Sequence, residues 1–343
     1  MSWSTRSGAD SGSGRPPVSS TVSVAMCTHN GARFVGEQIR SILAQSRPVS
    51  EVVVSDDAST DDTVQIIERA WDGIGSGGPT LRILRNTVAL GVTRNFEQAI
   101  MATSGELVSL SDQDDSWAPN RVEVLAAEFE SRPTLGLVFT DARLIDETGH
   151  ALPTTLFEAL EISQAELREV RDGAAMGILL RRNLVTGATV MFRRNLLEQA
   201  VPIDPEWVHD EWIAVIASIV SEIDWRPGLL VDYRQHGANE IGVTAPTLAY
   251  KIGRVLEPRG DRYTGLVSRA ERLKARLDTL GVAAEVTAAI DDKLEHQRRR
   301  AGLPSLRLAR VLPVLREAST GRYRRFSSQG NLDILRDLLQ PAR

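Results

Sequence analysis

Between residues 21 and 140 the chain alternates short apolar runs with amphipathic segments, a rhythm that predicts strands and helices in βαβα order. Strands are expected over 22–27, 51–55, 81–84, 106–110 and 136–140, and helices over 33–45, 60–71, 93–102 and 118–131. Ser59-Thr60-Asp61-Asp62 reads as a capping signal for the second helix, and Pro119 falls in the first turn of the fourth. Such an order implies an α/β fold: a Rossmann-like, mostly parallel sheet with helices on both faces, binding ligands at the carboxyl ends of its strands. The pattern then loosens. Strands over 188–192 and 229–233 bracket a helix over 210–220, and from Pro246 onward only helical periods remain, over 248–256, 263–280, 283–300, 306–317 and 332–339. No fixed period recurs. The expected organisation is a disordered tail over 1–20, an α/β domain over 21–243 and an α-helical extension over 244–343.

Two strand ends carry the chemistry. Leu110-Ser111-Asp112-Gln113-Asp114-Asp115 closes one apolar strand, and Ser55-Asp56-Asp57 closes another, Val52-Val53-Val54, about one βα unit earlier. Carboxylates at two strand ends of one open sheet argue for a nucleotide and a divalent cation in the same crevice, because hard oxygen ligands hold an ion that also takes phosphate oxygens. Asp114 is the preferred direct ligand, with Asp112 binding the metal through water or holding the ribose. The plainer alternative is a solvated acidic turn. Gly73-Ile74-Gly75-Ser76-Gly77-Gly78 matches a dinucleotide fingerprint letter for letter, but it follows a predicted helix and precedes a strand, the reverse of the order that motif needs. It reads as a loop.

In order along the chain, Val24-Ala25-Met26-Cys27-Thr28-His29-Asn30-Gly31, Val54-Ser55-Asp56-Asp57-Ala58-Ser59-Thr60-Asp61, the stretch from Asn86 to Asn95 and the Asp112-to-Asp115 cluster resemble the successive motifs of inverting glycosyltransferase family 2. His209-Asp210-Glu211-Trp212 and the run from Tyr233 to Asn239 resemble its rhamnosyltransferase branch. The resemblance implies a GT-A fold over roughly 21–243. It further implies Mg2+ or Mn2+ as cofactor, a nucleoside diphosphate sugar (dTDP or UDP, the sugar rhamnose first and a UDP-hexose next) as donor, and a surface-glycan acceptor, lipid-linked. Asp210 becomes the candidate base, with Glu211 as the alternative and a helix N-cap as the structural one. Thr28, Asn30, Asp57 or Asp56, Arg94 and Asn95 become donor contacts, Gly187 a small residue at the sugar, and His236 a third metal ligand or a diphosphate donor. Ala58 stands where many relatives have glycine, so a residue with a Cβ must take that turn, and His29 stands where tyrosine is commoner. No Gln-x-x-Arg-Trp segment of processive synthases occurs, which favours addition of a single sugar.

Composition narrows the rest. The single cysteine, Cys27, leaves no internal disulfide or cysteine-built zinc site and fits a reducing, cytoplasmic setting. The Ser-, Gly- and Pro-rich start lacks the apolar stretch of a signal peptide, and no run is long enough to span a bilayer. Residues 244–343 hold 20 Lys and Arg against 11 Asp and Glu; with the whole chain at −5, the remainder carries −14. An acidic catalytic portion is a poor nucleic-acid partner. The basic end has two readings. Its helices pack on the α/β domain with arginines in solvent, or Arg298, Arg299, Arg300, Arg307, Arg310, Arg322, Arg324 and Arg325, with Tyr323 and Phe326, rest on the inner face of an acidic membrane. A nucleotidyltransferase and a non-catalytic sugar-nucleotide or glycan-binding module remain as rival classes, and the oligomeric state stays open.

Overall fold

The computed structural model describes residues 19–237 and 257–341. Most of the expected tail, the helix expected over 248–256 and the boundary at 243 lie outside these residues. Nine strands form one sheet among the described residues: β1 (Val22–Thr28), β2 (Glu51–Asp56), β3 (Thr80–Arg85), β4 (Leu107–Ser111), β5 (Ser116–Trp117), β6 (Leu135–Ile145), β7 (Ala151–Thr155), β8 (Met191–Arg193) and β9 (Glu222–Arg234). Their order is β3-β2-β1-β4-β8-β6-β9-β5, with β7 on β6. The half built from β1 to β4 is parallel, as the alternation requires, with α1 (Val35–Leu43), α2 (Thr63–Trp71) and α3 (Val92–Met101) as crossovers. Beyond β4 the sheet becomes mixed. β8 lies antiparallel between β4 and β6, β5 antiparallel to β9, and β9 parallel to β6.

Successive residues of β1 point to opposite faces. Val24 and Met26 enter one core with Ile39 and Ile42 of α1 and Val122 and Leu125 of α4 (Arg121–Ser131), while Ala25 enters the other with Phe96 of α3. That second core also takes in Trp212, Ile213 and Ile216 of α9 (His209–Val220), a helix apolar nearly all round and buried accordingly. The segment between β7 and β8 holds three short helices that the periodicity did not predict: α5 (Leu156–Ala159), α6 (Gln164–Arg171) and α7 (Ala175–Leu179). Capping boxes open the first two, Thr155 with Glu158 and Ser163 with Glu166. The strand expected over 188–192 is a 3-10 turn, Gly187–Thr189, before β8, and α8 (Leu197–Ala200) follows it. The second helix begins three residues later than expected, because Asp61 spends its carboxylate on the Thr63 and Ala32 N–H groups.

The helical end comprises α10 (Arg262–Leu280), α11 (Ala284–Ala301), α12 (Arg307–Ser319), α13 (Arg322–Phe326) and α14 (Leu332–Leu339). Leu273 and Leu277 of α10, Ile290 of α11 and Phe326 of α13 join the core that holds α9, so this end packs into the α/β body instead of building a separate core. Polar ties reinforce the contact. Arg276 donates to the carbonyls of Gln199 and Val201, and the Trp207 indole donates to the Arg269 carbonyl.

Arg121 is fully buried between α4 and the sheet, donating to the Ser109 hydroxyl at 2.6 Å and the Ala188 carbonyl at 3.2 Å, with its guanidinium 4.0 Å from the Trp117 ring centroid. Burial pulls its pKa down to about 9, against the attraction of the Asp115 carboxylate. Removing this cation leaves the buried Asp115 with Arg234 as its remaining basic neighbour and empties a fully buried site. Arg121→Ala is expected to lose about 3 kcal/mol or more in urea unfolding; a loss below roughly 1 kcal/mol would show that the buried arginine is dispensable.

Candidate active site

Parallel register aligns the strand ends on one edge. Thr28 pairs with Asp56 across β1 and β2, and Met26 with Ser111 across β1 and β4, so the loops after β1, β2 and β4 leave together. Side chains then bind loop to loop. Gln113 accepts the His29 N–H at 2.9 Å and donates to the His29 carbonyl at 3.0 Å, and it passes so close to Gly31 that a Cβ there would sit 2.1 Å from its Oε1. This contact requires the glycine of the first motif. Asp56 accepts the Thr28 hydroxyl at 2.8 Å, and the Ser59 hydroxyl and N–H at 2.6 and 3.0 Å. Asn30 accepts the Thr60 N–H at 2.9 Å. Ala58 takes φ +61° and Asn30 φ +48°, so the turn expected to need a glycine is made by a residue with a Cβ, at a cost of about 1 kcal/mol.

Three expected donor contacts have different settings. Asp57 is buried and accepts from the Asn86 side chain at 3.1 Å and the Leu90 and Gly91 N–H groups at 2.7 and 2.9 Å, so it anchors the third motif's loop. Asn95 is buried instead of facing the crevice; its amide donates to the Ser55 carbonyl at 2.9 Å and accepts the Ser55 hydroxyl. Arg94 is exposed and lines a cleft of about 680 Å³ between α3, Pro202–Pro205 and α10. None of Asp57, Asp112, Asp114 and Asp210 lines that cleft.

The short β5–β9 pairing sets the Asp114-Asp115 turn beside the end of β9. Arg234 is almost fully buried there: its backbone N–H donates to Asp115 at 3.0 Å, its Nε to the Asp114 carbonyl at 2.8 Å, and its guanidinium pairs with Glu37 at 2.8 Å. Two residues on, His236 Nε2 stands 2.8 Å from Asp114 Oδ2, and the Phe34 ring stacks on the imidazole with centroids 5.0 Å apart. Arg234, Phe34 and Gln113 were not singled out from sequence. The first two become visible only when β9 is laid beside the loop after β1.

Charge is crowded here. Burial and then the carboxylates of Asp114 and Asp210 push the Asp112 pKa well up. The Tyr233 hydroxyl is raised by burial and by Asp112, Asp115, Asp114 and Asp210 together, and the Cys27 thiol by burial, Asp112 and Asp57. The two aspartate motifs and the start of α9 therefore share one electrostatic field.

Asp210 is the second residue of α9, whose N-cap is Val208, so it is no N-cap. Its Oδ2 accepts the Gly187 N–H at 2.8 Å and its Oδ1 the Glu211 N–H at 2.6 Å. Burial still pushes its pKa up to about 6, the N–H groups pulling the other way. Gly187 packs close to this pair: a Cβ on it would lie 3.1 Å from His209 Nε2, a tight contact, and 3.5 Å from Asp210 Oδ2, an ordinary one. His209 itself is buried and neutral, stacked on Phe96 at 3.9 Å, with both ring nitrogens lacking a hydrogen-bond partner among the described residues. Glu211 pairs with Arg269 of α10, which occupies the alternative base in an ion pair.

The donor set fits a divalent cation in part. Among the described residues no three His, Cys, Asp or Glu side chains are grouped as a complete ion site. The Asp114 carboxylate and His236 imidazole are adjacent and nearly buried, and the Asp112 carboxyl lies within electrostatic reach of Asp114. Two protein ligands beside an acidic field suit an ion that completes its shell with phosphate oxygens and water.

Residues 23–198 match the sequence profile described as glycosyl transferase family 2. An uncharacterized glycosyltransferase of Nostoc sp. is 27% identical over 237 residues, covering 64% of this chain and 66% of that one. An uncharacterized protein of Mycobacterium tuberculosis is 28% identical over 220 residues, covering 63% and 59%. The matches thus span less than two thirds of these relatives' own length. Among solved structures, Staphylococcus aureus TarS 1-349 in complex with UDP-GlcNAc superposes with a TM-score of 0.53 at 18% identity, covering 93% of this chain and 90% of that one. The mannosyltransferase PcManGT of Pyrobaculum calidifontis, in complex with GDP-Man and Mn2+, gives 0.51 at 20% identity, covering 94% and 87%.

Because the folded-state pKa of Asp210 lies above its unfolded value of 3.8, the folded form is favoured by the neutral acid and loses stability as pH rises from about 4 through 6. Asp210→Asn removes that loss. It should be more stable than the parent by about 3 kcal/mol at pH 8 and near-equal at pH 4 in urea titrations; a gain independent of pH would contradict the perturbed carboxyl.

Proposed function

This chain belongs to glycosyl transferase family 2 and has the GT-A fold of its structural neighbours, and from that premise we propose that it transfers a sugar from a nucleoside diphosphate donor to a hydroxyl of a glycan acceptor, inverting the anomeric carbon. The observation that carries this reading is the gathering of Asp112, Asp114 and Asp210 within electrostatic reach of one another at the carboxyl edge of the sheet.

Asp210 is the base in this reading. Above a pKa of about 6 its carboxylate is free to take the acceptor's proton, and the Gly187 and Glu211 N–H groups hold it in one orientation. As the acceptor oxygen bonds to the anomeric carbon, the bond to the diphosphate oxygen breaks on the opposite face, so one base suffices. Glu211 is the poorer candidate because Arg269 already neutralises it. Asp114 and His236 are the residues that would hold Mg2+ or Mn2+, which supplies the positive charge a departing diphosphate requires. Asp112, within electrostatic reach of Asp114 and of the base, would hold the ribose or a metal-bound water. Thr28, Asn30 and Asp56 shape the base end of the donor site, with Asp57 contributing through the loop it anchors. TarS was solved with UDP-GlcNAc and PcManGT with GDP-Man and Mn2+, which supports a sugar nucleotide and a divalent cation in general. The motif resemblance puts dTDP-rhamnose first and a UDP-hexose second, and the acceptor as a surface glycan handled in the cytoplasm. The α/β unit over 21–243 carries the chemistry.

Calorimetry with UDP and dTDP should show binding that depends on Mn2+ or Mg2+, and Asp114→Ala should weaken it by tenfold or more. Asp210→Asn should keep that binding and lose transfer by roughly 10²- to 10⁴-fold. Diphosphate binding unaffected by either the cation or Asp114→Ala would overturn the metal assignment, and normal transfer by Asp210→Asn would overturn the base. Donor binding without transfer to any glycan acceptor would favour a binding module.

A further inference from the structure

Two helices of the C-terminal end are turned inside out. On α12 the buried residues are Arg310, Val314 and Glu317, while Leu308, Val311, Leu312 and Leu315 face solvent, Leu308 at 82% exposure. On α14 the buried residues are Asp333, Arg336 and Asp337, while Leu332, Leu335 and Leu339 are about half exposed. A surface helix ordinarily does the opposite. The buried charges have partners. Arg300 binds Asp337 at 2.7 Å, the Tyr323 hydroxyl donates to Asp337 at 2.7 Å, Arg310 donates to the carbonyls of Asp337 and Gln340, and His296 lies 2.7 Å from Glu317. This network fixes the polar faces inward and commits both leucine rows to the outside.

The exposed charge in this region has one sign. Between residues 303 and 341 the carboxylates are Glu317, Asp333 and Asp337, and all three are buried. Arg307, Arg316 and Arg324 are exposed and form no ion pair among the described residues. At 100° per residue, Arg307 and Arg316 project about 90° to either side of the leucine row of α12. Long cationic side chains flanking an apolar row are placed to reach phosphate headgroups while the leucines enter the acyl boundary.

We propose that the leucine faces of α12 and α14 dock this protein on an anionic lipid bilayer, lying in its interface. A second copy of the chain fits the face less well: a two-fold contact would set arginine against arginine, with no exposed carboxylate of 303–341 to receive it. No helix among the described residues is long and apolar enough to cross a membrane, so the contact is peripheral. Of the residues expected from sequence, Arg307 and Arg324 carry it here and the others do not. Arg300 and Arg310 are buried, Arg298, Arg299, Arg322 and Arg325 are paired with Glu271, Glu295 and Asp292, and Tyr323 and Phe326 are buried. Docking would place the protein on the surface that holds a lipid-linked acceptor, a consequence that rests on the transferase reading; the membrane contact does not.

Flotation of the full chain with vesicles tests this without reference to activity. At low salt, binding is expected to vesicles containing roughly a third phosphatidylglycerol in phosphatidylcholine, and to fall steeply on raising salt or omitting the anionic lipid. Leu308→Gln, Leu312→Gln and Leu315→Gln together change only exposed positions, so the far-UV spectrum and melting temperature should hold while partitioning falls by tenfold or more. Arg307→Gln, Arg316→Gln and Arg324→Gln should each weaken binding to the anionic vesicles by about fivefold. Failure of the parent protein to float, or equal binding by the leucine variant, would overturn the proposal. So would a lipid-free dimer in sedimentation velocity that the leucine variant abolishes, since that outcome assigns the face to a second copy.

Discussion

Four carboxylates that cannot comfortably share a crevice set the terms for the rest of this protein. Asp112, Asp114, Asp115 and Asp210 all bear on the Tyr233 hydroxyl, and Asp112 is held toward its neutral form by burial and by two of the others. Like charges in a half-buried cleft destabilise a fold unless something positive is brought to them. Arg121 and Arg234 answer for Asp115 and for the backbone of its turn, and they do so from inside. Asp114 meets the His236 imidazole at 2.8 Å, and Asp112 lies within electrostatic reach of Asp114 and Asp210. A divalent cation bound here, as proposed above, would relieve that crowding.

The fold creates that condition through register. Parallel pairing of β1 with β2 and β4 brings three motif loops to one edge, and the small β5–β9 ladder returns the chain from the far side of the sheet to the same place. Polar ties such as Gln113 to His29 and Asp57 to Gly91 then remove the freedom the loops would otherwise have. Gly31 and Gly187 allow the closest approaches, one to Gln113 and one to the His209-Asp210 pair. Rigidity of this kind is what a site needs to hold an acid group a few ångströms from a reacting atom.

The strand-and-helix alternation was legible because its signal is local: β1 to β4 and α1 to α4 stand within a few residues of where the periodicity puts them. So was the convergence of the aspartate motifs, which follows from parallel topology alone. The roles of Asp57 and Asn95 were not, since a motif says which residues meet but not which of their polar atoms are already used by Leu90, Gly91 or Ser55. Helices α5 and α6 escaped because their apolar stretches are too short to show a period, although both capping boxes stand in the sequence. The leucines of α12 and α14 mark two-faced helices without revealing which face is inside. That choice is made by Asp337, Arg300 and Glu317, which draw the charged sides inward.

The most direct test is anomalous diffraction from crystals soaked with Mn2+ and UDP. The account predicts one strong manganese peak at Asp114 and His236, with the diphosphate on it and Asp210 facing the open side. A peak elsewhere on the surface, or none while UDP binds in full, would contradict the claim that these carboxylates serve one cation-bound diphosphate.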